Sequence, residues 1–215
     1  MTKERPILFN GTMVRAILAG AKTQTRRVVK PQPVFDTRFR SRFRVDGRGS
    51  MSYRQVSTDA PAALLGEICP FGKPGDRLWV RETWMDLKGT GIEHWDPATG
   101  QPTRYAYGAD SPPGSASDEA RKDFGLKWRP SIHMPRWACR LVLEITDVRV
   151  EPLQAISKAD AITEGLTQTE AGGWLPGPCD HPEWAFHQLW NQVYGESSWD
   201  SNPWVWAITF KRIEA

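Results

Sequence analysis

"ILAGAKTQTRR", residues 17–27, closes one element and opens another. In the longer stretch "NGTMVRAILAGAK" the apolar residues Met13, Val14, Ile17 and Leu18 recur at helical spacing, with Asn10 or Thr12 to cap the start and Gly20 to end it. A short amphipathic helix is therefore expected to finish at about Ala19, leaving Lys22 to Thr25 in a turn and a following strand. From Gly20 to Arg27 the chain carries a lysine, two threonine hydroxyls and two adjacent arginines. Three uses stand open: a solvated surface, a grip on phosphate, or a lysine and a threonine that react together.

Outward from this packet, Pro74, Gly75 and Asp76 form a turn, and Leu78 to Trp84 alternate large apolar with polar residues as a strand does. The longest strand pattern is "WACRLVLEITDVRVEPL", where Leu141, Leu143 and Ile145 alternate with Arg140, Val142 and Glu144 and β-branched residues continue to Val150. "LQAISKADAITEGL" (153–166) reads as a helix opened by a Ser157 to Asp160 capping pattern and closed by Gly165. "PEWAFHQLWNQVYG" is a second helical segment, and "NPWVWAITFKRI" a closing strand. Segments at about 31–62, 88–127 and 167–183 are rich in turn residues and read as insertions or long loops. Widely spaced strands with short helices at the joins, and no regular βαβ alternation, predict an α+β, mainly β fold: one domain over 1–215, a small barrel with helices packed outside.

Composition bounds the function. No apolar run reaches bilayer-spanning length and no signal-peptide pattern opens the chain, so a cytoplasmic setting is expected, with no membrane partner. Cys69, Cys139 and Cys179 are far apart, without a CxxC pair, and read as reduced structural thiols; His94, His181 and His187 give no metal-ligand spacing. A net charge of +3 permits an anionic partner without demanding nucleic acid. "TRFRSRFRVDGR" (37–48) concentrates five arginines, either a solvated loop or a phosphate contact. Eleven tryptophans supply core and also platforms for stacking a flat heterocycle.

Taken in order, "ILAGAKTQTRR", "GDRLWVRETW", the long strand, "LQAISKADAITEGL" and the terminal "WVWAITFKRI" resemble the ASCH family, a branch of the PUA-like barrels, and its larger phage-type or metagenomic members in particular. The resemblance covers about half of the chain in separated blocks, the insertions lying outside it. Some small ASCH proteins are amidohydrolases that remove the acyl group from N4-acetylcytidine, with a lysine as proton acceptor, a threonine as nucleophile and a glutamate as proton donor. The resemblance places those roles on Lys22, Thr25 and Glu164, with no cofactor and no metal, and a nucleoside as the small-molecule substrate. Other relatives bind or cleave RNA, so the fold alone leaves the reaction open.

The chemistry holds on its own terms. Acylated cytosine nitrogen is an activated amide, and a hydroxyl with a nearby base suffices to attack it. Lys22 must be neutral part of the time, which burial and the charge of Arg26 or Arg27 favour; either arginine could also polarise a carbonyl oxygen. Glu164 either protonates the departing nitrogen or stays ionised and accepts from the exocyclic N–H. In a regular strand residues three apart face opposite sides, so Lys22 and Thr25 share a face only if the chain turns between them. Arg81 and Glu82 in mid-strand, Trp84 as a stacking platform and His133 between prolines are further substrate-binding candidates, with barrel-surface alternation, core packing and a structural histidine as their bland alternatives. The rival reading is an RNA-binding or RNA-cleaving module that uses the arginines of 37–48.

Overall fold

The computed structural model describes residues 2–32, 34–35, 42–46, 53–57, 68–92, 94–95, 100–176 and 179–213. In chain order the strands are β1 (Glu4–Leu8), β2 (Gln24–Val28), β3 (Val34–Phe35), β4 (Arg42–Asp46), β5 (Tyr53–Ser57), β6 (Arg77–Arg81), β7 (Trp84–Asp86), β8 (His94–Trp95), β9 (Pro102–Thr103), β10 (Tyr105–Tyr107), β11 (Val142–Pro152), β12 (Thr167–Gln168), β13 (Trp174–Leu175) and β14 (Trp204–Ile213). The helices are α1 (Gly11–Leu18), α2 (Ala116–Asp123), α3 (Lys158–Thr163) and α4 (Pro182–Tyr194). The fold is thus mixed, with more strand than helix.

Five strands form the central sheet in the order β1-β6-β11-β14-β2, antiparallel except for the β1–β6 pair. Its first face is apolar. Trp206, Ile208 and Phe210 of β14 pack with Leu78 and Val80 of β6, with Leu143, Ile145, Val148 and Val150 of β11, and with Val14 and Ile17 from the buried side of α1. The register of β11 shifts between Ile145 and Asp147. An extra residue there exchanges the two faces of the strand. Ile145 and Val148, an odd number of residues apart, therefore both reach the core, while Arg149 and Glu151 face the sheet's other side. On that side α3 and α4 cover the sheet through Ala161, Ala185, Phe186, Trp190 and Val205.

The helix at 11–18 has the expected cap, since the Asn10 side chain accepts from the Met13 amide at 2.8 Å. The strand expected over 78–84 is two: β6 stays in the central sheet, whereas β7 pairs with β10. The break follows from Glu82, which shares the parity of buried Leu78 and Val80 and is held by Arg140 instead of by the ladder. Within the segments read as loops, β3–β4–β5 make a three-stranded antiparallel sheet, β8 pairs with β9, and α2 starts from a Ser115 cap. Of the arginine run 37–48, Arg42 and Arg44 lie on β4 and the other three arginines fall outside the described residues.

The central ladder is open, with β1 and β2 at its edges. A side chain spans those edges: Arg27 Nη2 of β2 donates to the Leu8 carbonyl of β1 at 2.6 Å.

Candidate active site

Lys22 is placed by three local constraints. Gly20 takes φ +75° past the end of α1, and the amides of Ala21 and Lys22 both donate to the Ala16 carbonyl, which turns the chain back toward the sheet. Lys22 and Glu164 form an isolated antiparallel bridge beside β2. Gly165, at φ +89°, lies against that turn; a Cβ there would sit 2.8 Å from Lys22 Cβ and 3.0 Å from Ala16 Cβ, so only glycine fits.

The Lys22 side chain is buried, 2% exposed as a residue. Its Nζ donates to Glu164 Oε2 at 2.7 Å and to the Glu164 carbonyl at 2.8 Å, with the Phe9 ring centroid 5.8 Å away. Burial pushes the ammonium pKa below its ordinary value; Glu164 opposes the shift, and Arg27 and Arg26 add to it. Glu164 caps the C-terminus of α3, and its second oxygen accepts from Arg26 Nη1 at 3.1 Å.

Thr25 sits on β2 opposite Ile208, buried, and its hydroxyl has no hydrogen-bond partner among the described residues. It lines a small cavity of about 20 Å³ together with Met13, Arg26, Arg27, Glu164 and Phe186. Met13, Glu164, Leu189 and Val193 also line a larger cleft of about 390 Å³ between the start of α1, the end of α3, Leu175 and α4. No hydrogen bond joins Lys22 to Thr25 directly. Glu164 links them, since it holds Lys22 and faces the cavity of Thr25.

Arg26, expected against a substrate, has a fully buried side chain whose N–H groups are all consumed by protein. Nε and Nη2 donate to Glu151 Oε1 at 3.1 and 2.6 Å, Nη2 also to Asp160 Oδ2 at 3.2 Å, and Nη1 to Gln24 Oε1 at 2.6 Å and Glu164 at 3.1 Å. It lines the Thr25 cavity with every N–H already bonded to protein. Arg27 differs: besides Leu8 it stacks 5.1 Å over the Phe9 ring, and its buried Nε has no partner among the described residues. Of the two arginines, Arg27 keeps a donor for a ligand oxygen.

The other candidates lie apart, and none lines either cavity. Arg81 donates to the Ile132 carbonyl and covers the Trp79 ring at 5.4 Å. Glu82 is buried, its carboxyl raised by desolvation against the opposing Arg140, with which it pairs at 3.0 and 3.1 Å. Arg140 in turn holds Asp110 at 2.7 Å. Trp84 belongs to a cluster with Tyr107, Met134 and Ala138, and His133 is exposed at the end of a 3-10 turn. The side chains that sequence reasoning missed are Phe9, Gln24, Glu151 and Asp160. Asp160 carried a signal as part of the capping pattern, but what that pattern uses is its amide, bound to Ser157 Oγ at 3.1 Å, while its carboxylate reaches Arg26.

No protein-family model, curated protein or solved structure matches this chain. Function therefore rests on the site. Among the described residues no three of His, Cys, Asp or Glu are arranged to hold a metal ion. Burial raises the Cys69 thiol to about 11, which keeps it in the unreactive protonated form at neutral pH.

Proposed function

We propose that this protein is an amidohydrolase that removes the acyl group from N4-acylated cytidine or a related acylated pyrimidine nucleoside, built on an ASCH-type PUA-like barrel and acting in the cytoplasm. The observation that carries the reading is the buried Lys22–Glu164 contact of 2.7 Å, whose glutamate lines one cavity with Thr25 while Lys22 lies behind it. The barrel is supported by the Arg27 bond to Leu8, which brings the two edges of the central sheet side by side.

A single proton passed from Nζ to Oε2 across that contact yields a neutral amine and a carboxylic acid with no change in total charge. In this form Lys22 takes the Thr25 proton as Oγ attacks the acyl carbon, and Glu164 protonates N4 as the C–N bond breaks. The products are free cytidine and an acyl ester on Thr25, with Lys22 now cationic and Glu164 anionic. Water then attacks the ester, giving a proton to Glu164, and the departing Thr25 oxygen recovers one from Lys22. Arg27 Nε is the nearby donor for the carbonyl oxygen in both halves.

Mixing the purified protein with N4-acetylcytidine at neutral pH, with and without a chelator, and following the ultraviolet change to cytidine tests the reading. Turnover that Lys22→Ala and Thr25→Ala each abolish, with melting curves intact and no effect of chelator, is the expected result. A fully active alanine variant at either position sinks the residue assignment. No turnover by the unaltered protein sinks the reaction.

A further inference from the structure

The second face of the central sheet carries a charged network of which the two-step reaction uses only Glu164. Arg26 lies at its centre, between Glu164 and the pair Glu151 and Asp160. Gln24 completes the inner shell, donating to Asp160 Oδ1 and accepting from Arg26. Arg149 closes the outer side, 3.0 Å from Asp160, with Asp147 3.6 Å from it at the rim. The Phe186 ring of α4 covers Arg26 at 5.8 Å. The charged groups facing Lys22 and Glu164 are thus Arg26 and Arg27 of β2, backed by Glu151 and Arg149 of β11 and Asp160 of α3.

A guanidinium fully removed from water needs a counter-charge, and losing it leaves an uncompensated buried cation, one of the costliest defects in a fold. If Glu164 were the sole carboxylate on Arg26, moving a proton onto it would leave the buried guanidinium with no counter-charge. Glu151 and Asp160 remove that constraint. We infer that Asp160 and Glu151 are positioning residues, which act through Arg26 as its standing counter-ions and so leave Glu164 free to take and release the proton that Lys22 exchanges. Arg26, buried and with no N–H to spare, fixes where Glu164 Oε1 lies while Oε2 faces Lys22. The inference rests on the acyl-transfer reading for its kinetic consequence, but not for its electrostatic one.

The test compares Asp160→Asn with Asp160→Glu, which keeps the charge, and with Glu151→Gln as an independent removal of a counter-ion. Two quantities are read on each variant: kcat and KM for N4-acetylcytidine, and the titration of the Lys22 Nζ resonance in protein labelled with 15N-lysine. With one of its two standing counter-ions gone, Arg26 leans more on Glu164, so moving the proton onto Glu164 costs more and kcat falls about tenfold or more with KM unchanged. Loss of a neighbouring anion also moves the Lys22 titration to lower pH. Asp160→Glu restores both. If Asp160→Asn fails to fold, Glu151→Gln carries the same expectations. An unmoved kcat and an unmoved Lys22 titration in a folded variant overturn the inference while leaving the reaction standing. Equal losses in Asp160→Asn and Asp160→Glu overturn it as well, because packing and not charge is then at work. If the unaltered protein does not turn over N4-acetylcytidine, the reaction has failed, and the Lys22 titration alone decides the inference.

Discussion

Taking an ammonium group out of water costs on the order of several kcal/mol, and Lys22 offsets this with one carboxylate and one carbonyl. The sign of its pH dependence follows. The folded protein holds the Lys22 proton less tightly than the unfolded chain, whose lysine keeps the ordinary value of 10.5. Between the lowered folded value and 10.5 the unfolded chain binds more protons, so this residue makes stability rise with pH across that window. Lys22→Met removes the titration. We expect the Tm of the unaltered protein to gain on that of Lys22→Met as pH is raised toward 10.5, and kcat/KM of the unaltered protein to fall as Lys22 titrates, because the Lys22–Glu164 pair then loses the one proton that the reaction moves between them. A constant Tm difference across the series would show that Lys22 titrates as an ordinary lysine.

At the scale of elements, α3 decides where Glu164 and Asp160 stand, although it is six residues long and far too short to hold itself together. Its start rests on the Ser157 cap. Ser157→Ala is expected to cost about 1 kcal/mol, the usual worth of such a cap, and to lower activity further because both carboxylates ride on the helix. A melting curve and kcat check the two parts, and an unchanged Tm would remove the cap from the account. The caps of α1 and α3 were legible because each is a local contest between a side chain and nearby amides. α2 carried similar signals, Ser115 and Asp118 at its start and Arg121 and Lys122 at its end, but without an apolar stripe its helical period could not be seen. The shift in β11 left no mark in the residues, since Ile145 and Val148 both reach the core only through an irregularity set by pairing with β14. Glu151 thereby faces Arg26, and no local pattern announces it.

For the whole molecule, the site depends on contacts between residues far apart in sequence: Lys22 meets Glu164 across 142 positions and Arg26 meets Glu151 across 125. The central sheet that enforces these contacts draws its strands from both sides of the stretch holding β3, β4 and β5, which pair with each other and with no strand of that sheet. Such a stretch is separable in principle, because shortening a connection alters the entropy of closing it only logarithmically, about 0.6 kcal/mol for each halving of length. Replacing residues 34–58 by a short Gly-Ser linker is therefore expected to leave one cooperative melting transition near that of the full chain, together with turnover that Lys22→Ala abolishes. Retained melting with lost turnover would instead make that stretch part of the catalytic site. Retained turnover on free nucleoside, with salt-sensitive RNA binding lost on the same deletion, would divide the chain's work between a nucleoside cleft and an arginine-bearing insertion.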